Sequence, residues 1–143
     1  MVGDHTVGRL TKWLRALGLS VEEGDFSRAQ DVPPGILFLT RKRALVSSPW
    51  VFFFPQDKVE EQIKYFFQQL PAFKRLRRPF SRCLRCNTLL EKKTKEEVFG
   101  QVPDYIYETH SVFYWCAKCQ KIFWPGSHRK RMEACLRRWG LLP

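Results

Sequence analysis

"GILFLTRKRAL", residues 35–45, is an apolar run that stops at Thr40 and breaks into three cations, Arg41, Lys42 and Arg43. An unbroken apolar segment bounded by a turn former and a charged cluster reads as a strand covered on both faces, and such strands belong to parallel sheets. In open parallel sheets the working site lies past the carboxyl ends of the strands. Residues 40–43 therefore stand where an α/β protein places its chemistry, and they offer positive charge there.

The flanking sequence completes a small layer. "WVFFFP" (50–55) is a second buried-strand pattern, and "MVGD" (1–4) is the stub of a first strand that ends at Asp4. A strand beginning at residue 1 carries the expectation of a longer parent chain. "HTVGRLTKWLRALG" (5–18) has helical spacing: Val7, Leu10, Trp13, Leu14 and Leu17 share a face, Thr6 is the expected cap, and Gly18 the stop. "DKVEEQIKYFFQQLP" (57–71) repeats the pattern with Val59, Ile63, Phe66, Phe67 and Leu70, ending at Pro71. Helix, strand, strand, helix implies a small parallel α/β sheet with flanking helices.

"PAFKRLRRPF" (71–80) reads as a proline-bracketed basic linker. Beyond it come cysteine pairs, aromatic-rich strands ("HSVFYW", "KIFWP") and a final helix from near Ser127 that buries Met132, Cys135, Leu136 and Trp139. The expected division is an α/β part over 1–79 and a cysteine-rich β part with a C-terminal helix over 80–143.

Charge follows that division. The chain of 143 residues carries a formal net charge of +11. Residues 1–70 hold 9 Lys/Arg against 8 Asp/Glu, whereas residues 71–143 hold 16 against 6. Such asymmetry favours a polyanionic partner, RNA or DNA over an acidic membrane surface; the alternative is charge that only keeps the protein soluble. No apolar stretch approaches the roughly 18 residues of a membrane span, and the N-terminus lacks a signal-peptide pattern. The expectation is a soluble protein of the cytoplasm or nucleus.

"CLRC" (Cys83, Cys86) and "CAKC" (Cys116, Cys119) each present two thiolates from one tight turn. Two such turns complete the tetrahedron that Zn²⁺ prefers, and four thiolates leave no open position, so this would be a structural metal in a zinc ribbon. The segment between the pairs has room for a β-hairpin, and Asn87 suits a turn that needs positive φ. Arg82, Arg85, Lys118 and Lys121 would offset the site's negative charge. Disulfides and a redox pair are the competing readings. Cys135 reads as core.

The segments "DHTVGRLTKWLRALG", "ILFLTRKRAL", "FSRCLRCN", "VPDYIYETHSVFYWCAKCQKIFWPGSH" and "RM" resemble, in that order, the Mut7-C domain. That family is described as a PIN-like ribonuclease fold with a C-terminal zinc ribbon, the tail of Mut-7-like 3′–5′ exoribonucleases. The resemblance implies carboxylates at the sheet edge holding Mg²⁺ or Mn²⁺. Asp4 matches the family's first acid, and Asp57, after the strand "VFFF", is a further candidate catalytic carboxylate. Asp25 and Asp31 lie near a third position. Where the family usually reads "LTRD", this chain has Lys42, which sets a cation where a metal ligand is expected.

Arg41, Lys42 and Arg43 at the edge, with Lys74, Arg75, Arg77 and Arg78, are the candidate RNA-binding residues. His5 could orient Asp4, whereas His110 and His128 read as packing residues or as supports for the residues that hold the metal. Tyr105, Tyr107, Trp115 and Trp124 either stack on unpaired bases or fill the ribbon's core, with core the favoured choice. The leading functional reading is a binder of single-stranded RNA on a degenerate nuclease site, serving an exonuclease of the same or an associated chain. The alternatives are an active metal-dependent ribonuclease and a zinc-ribbon module that docks a protein partner.

Overall fold

Four short strands, β1 (Val2–Gly3), β2 (Glu22–Glu23), β3 (Phe38–Thr40) and β4 (Val51–Phe53), form a parallel sheet in the order β2-β1-β3-β4 in the computed structural model, which describes all 143 residues. The register pairs Val2 with Glu22 and Phe38, and Phe38 with Val51. All of β3 is buried, as its unbroken apolar pattern requires. Two helices, α1 (Gly8–Ala16) and α2 (Val59–Gln69), touch one another and supply Leu10, Leu14, Ile63, Phe66 and Phe67 to the core. Each such side chain contributes roughly 1.5–3 kcal/mol on leaving water.

The helix opens differently from the sequence expectation. Asp4, not Thr6, caps the entry: its carboxylate accepts from the Thr6 N–H at 2.9 Å, and a tight turn over His5–Val7 precedes α1. Gly18 ends the helix as expected, at φ +89°. Its role extends further, because a Cβ there would come within 2.2 Å of the Arg78 carbonyl oxygen.

That close approach belongs to the basic segment after α2. Residues 71–76 coil into 3₁₀ turns, and the chain then runs against the end of α1, with Arg78 N–H donating to Leu17 O at 2.8 Å and Phe80 N–H to Ala16 O at 2.7 Å. The segment "PAFKRLRRPF" is thus stitched to the α/β layer along its backbone. The chain divides into two compact units, Met1–Asn87 and Thr88–Pro143. The first unit runs past residue 80 because the "CLRC" turn is tied into it. Arg15, buried on α1, donates to Val21 O, Leu84 O and Arg85 O at 2.8, 3.0 and 3.2 Å. Asn87 is buried at φ +69°. Its side chain accepts from Val21 N–H and donates to Ser20 Oγ and Glu22 Oε1.

The second unit is built on an antiparallel sheet of β5 (Glu91–Lys93), β6 (Phe113–Cys116) and β7 (Lys121–Phe123). Residues 94–112 between β5 and β6 carry a 3₁₀ turn at Glu96–Val98 and a short helix, α3 (Asp104–Thr109), where the sequence suggested only a hairpin. Val98 and Ile106 from that insert pack with Phe113, and Val102, Tyr107, Ile122 and Trp124 surround them. The final helix, α4 (Ser127–Arg138), begins where expected and buries Met132 and Leu136, while Cys135 is half-buried and accepts from Arg138 Nη2. No helix is long and apolar enough to cross a membrane.

Candidate functional site

Two groups of chemistry-bearing residues stand out. The first is the carboxyl edge of the parallel sheet. Asp4 leaves β1 with its side chain wholly buried, and three groups hold its carboxylate: the Thr6 N–H, the Thr6 hydroxyl and the Thr40 hydroxyl, which donates at 2.6 Å. His5 is exposed and takes no part in orienting it. Thr40, last residue of β3, also receives the Lys42 N–H at 3.0 Å, so a single hydroxyl ties the acid to the cationic loop.

Lys42 turns inward. Its ammonium lies 3.1 and 3.3 Å from the two oxygens of Asp25 and 3.8 Å from Asp4 Oδ2. The hydrogen bond from Lys42 holds the Asp25 carboxyl below the ordinary aspartate range. Arg41 pairs with Asp57, and its Nε–H donates to Phe54 O at 3.3 Å. Asp31 sits apart, bound by Arg28 at 3.0 Å, and that hydrogen bond lowers its pKa. The structure therefore brings Asp4 and Asp25 to one lysine, gives Asp57 to an arginine, and leaves Asp31 outside. Arg43 is exposed with its guanidinium 5.0 Å from the centre of the Phe53 ring. Lys74, Arg75 and Arg78 are also exposed; Arg77 is half-buried, its guanidinium 5.9 Å from the Phe67 ring.

The second group is the cysteines. The Sγ atoms of Cys83, Cys86, Cys116 and Cys119 lie within 4.8 Å of one another. Thiolates about 2.3 Å from a tetrahedral metal stand roughly 3.8 Å apart, so this donor set fits one such ion. The two turns are built alike. Asn87 N–H donates to Cys83 O and Gln120 N–H to Cys116 O, and both residues have positive φ, +69° and +53°. Cys119 N–H also points at Cys116 Sγ at 3.4 Å.

Arg15 was not singled out from the sequence, Thr6 was read only as a helix cap, and Thr40 only as the end of a strand at the working edge. A signal existed for Arg15, a cation between Leu14 and Ala16 in an otherwise apolar helix end, and for Thr40, the polar stop of a buried run. Of the aromatics, Tyr107, Trp115 and Trp124 are half-buried and Tyr105 is exposed. His110 meets the Thr109 hydroxyl at 3.0 Å, and His128 is exposed on α4.

A family model described as the Mut7-C RNAse domain matches residues 1–136. No curated protein and no solved structure matches the chain.

Proposed function

Since this chain belongs to the Mut7-C RNase domain family, we propose that it binds single-stranded RNA on a degenerate PIN-like nuclease site and serves an exoribonuclease of the same or an associated chain. The observation that carries this reading is Lys42, whose ammonium lies between Asp4 and Asp25 where the family's site needs negative charge. A cation held there by two carboxylates cancels the field that would draw in Mg²⁺ or Mn²⁺. The exposed cations Arg43, Lys74, Arg75 and Arg78 are suited to phosphate oxygens, while Lys42 and Arg41 keep the acids occupied. The four cysteines hold one structural Zn²⁺, because four thiolates in two paired turns favour that ion over harder divalent cations.

Incubation of the purified chain with single-stranded RNA and Mn²⁺ tests the assignment. The expected result is salt-sensitive binding without metal-dependent cleavage. Cleavage that is abolished by Asp4→Asn would show that the acids work as a catalytic site, with Lys42 positioning a phosphate.

A further inference from the structure

The second unit holds a cavity of about 300 Å³ lined by Lys93, Glu97, Val98, Gln101, Trp115 and Ile122. Its floor comes from the sheet. Trp115 and Ile122 are direct partners across β6 and β7, and Lys93 opposite Phe113 lies on the same face. Its other wall is the insert between β5 and β6, from the turn at Glu96–Val98 to Gln101. The volume is at the lower end of small-ligand sites, about 300–1,000 Å³, which admits one flat ring system and excludes a helix or a duplex.

Its polar rim has a definite character. Gln101 Nε2 donates to the Glu97 carbonyl at 3.0 Å, and its amide oxygen can accept from a ligand. Glu97 Oε1 accepts from Thr94 N–H at 3.0 Å, and Oε2 lies 3.6 Å from Lys93 Nζ, so the carboxylate keeps lone pairs for a ligand. The Thr94 N–H, first among several contacts, holds Glu97 below the ordinary glutamate range, and it stays an acceptor at neutral pH. An anion is disfavoured beside that carboxylate, whereas a ring bearing N–H donors is favoured. Just beyond the wall, Phe99 is 72% exposed and rests edge-on against Tyr107, whose ring carries Lys95 Nζ at 4.7 Å. An aromatic platform with a cation, next to a cavity that presents Trp115, suits the bases and phosphates of single-stranded nucleic acid.

We propose that this cavity receives one unpaired nucleobase of a bound RNA, and prefers bases with an exocyclic amino group (adenine, cytosine, guanine) to uracil. The assignment rests on the RNA-binding reading above and adds a base-discriminating site to it. The indole of Trp115 supplies the apolar wall, Glu97 and Gln101 accept from the amino group, and the neighbouring nucleotide lies toward Phe99 and Tyr107.

Fluorescence anisotropy on the full chain, with short oligo(rC), oligo(rA) and oligo(rU) at one salt concentration, provides the test. Oligo(rC) and oligo(rA) are expected to bind about tenfold more tightly than oligo(rU), the worth of one or two hydrogen bonds to a charged acceptor. Glu97→Gln, an exposed change, should bring that ratio close to one without altering the salt dependence. In the unmodified protein, photo-crosslinking of a 5-iodocytidine oligonucleotide should map to the peptide containing Trp115. Equal, salt-dependent affinity for all three oligonucleotides would overturn the base site and leave the RNA-binding reading standing. Absence of binding to any of them would overturn both. If free cytidine monophosphate competes as well as the oligonucleotide, the cavity serves free nucleotides and the RNA assignment falls.

Discussion

Replacing Lys42 by alanine would leave the buried Asp4 carboxylate to two hydroxyls and one N–H, and would strip Asp25 of its partner. The sign of the effect follows from which protonation state the lysine favours. Lys42 lowers the Asp25 pKa, so its contribution is present above the unfolded aspartate value and is lost as pH falls through the lowered folded value. Denaturant melts should show the unmodified chain more stable than Lys42→Ala at pH 7, by a margin that solvent screening keeps small, and the two should converge in acid below the usual aspartate range. A gap that is the same at every pH would mean that the lysine matters for packing alone. Residue identity at this edge was legible from "FLTRKRAL", since an apolar run ending in cations has few placements. That Lys42 turns in to the acids while Arg43 stays out was not legible, because Asp25 comes from a loop across the sheet and the pairing is tertiary. The same limit hid the second reason for Gly18, the Arg78 backbone that passes where a Cβ would stand.

At the level of elements, periodicity located α1, α2, α4 and every strand of both sheets except β2 and β5. Those two are short and highly charged, Glu22–Glu23 and Glu91–Lys93, so no apolar alternation marks them. The helix α3 was missed because its six residues bury only Ile106. Four of the cations between α2 and the first cysteine turn, read as a linker, lie along a backbone anchored to α1 at Leu17 and Ala16. Charge reversal of Lys74, Arg75, Arg77 and Arg78 leaves those backbone bonds intact. RNA affinity should therefore fall across all sequences and the slope of log affinity against log salt should become shallower, while the far-ultraviolet circular dichroism is unchanged. Binding that survives the reversal with its salt slope intact would exclude this segment as the phosphate grip.

On the scale of the whole molecule, the four cysteines were the most legible feature of all, since two C-x-x-C turns announce a tetrathiolate without any knowledge of the fold. Elemental analysis of the folded chain should give one zinc per chain, and Cys→Ser at any of the four positions should remove it and unfold at least the second unit. Folded protein with no zinc would refute the metal assignment. Chelation should likewise lower the melting temperature, with recovery when Zn²⁺ is returned.

Arg15 and Asn87 prepare half of that metal's site. Five hydrogen bonds, two from Arg15 and three of Asn87, fix the Cys83–Cys86 turn to α1 and to the segment after it. Two of the four sulfurs thus sit on a turn held by contacts that need no metal. An ion binding there would meet one turn already ordered, which lowers the entropic cost of completing the site.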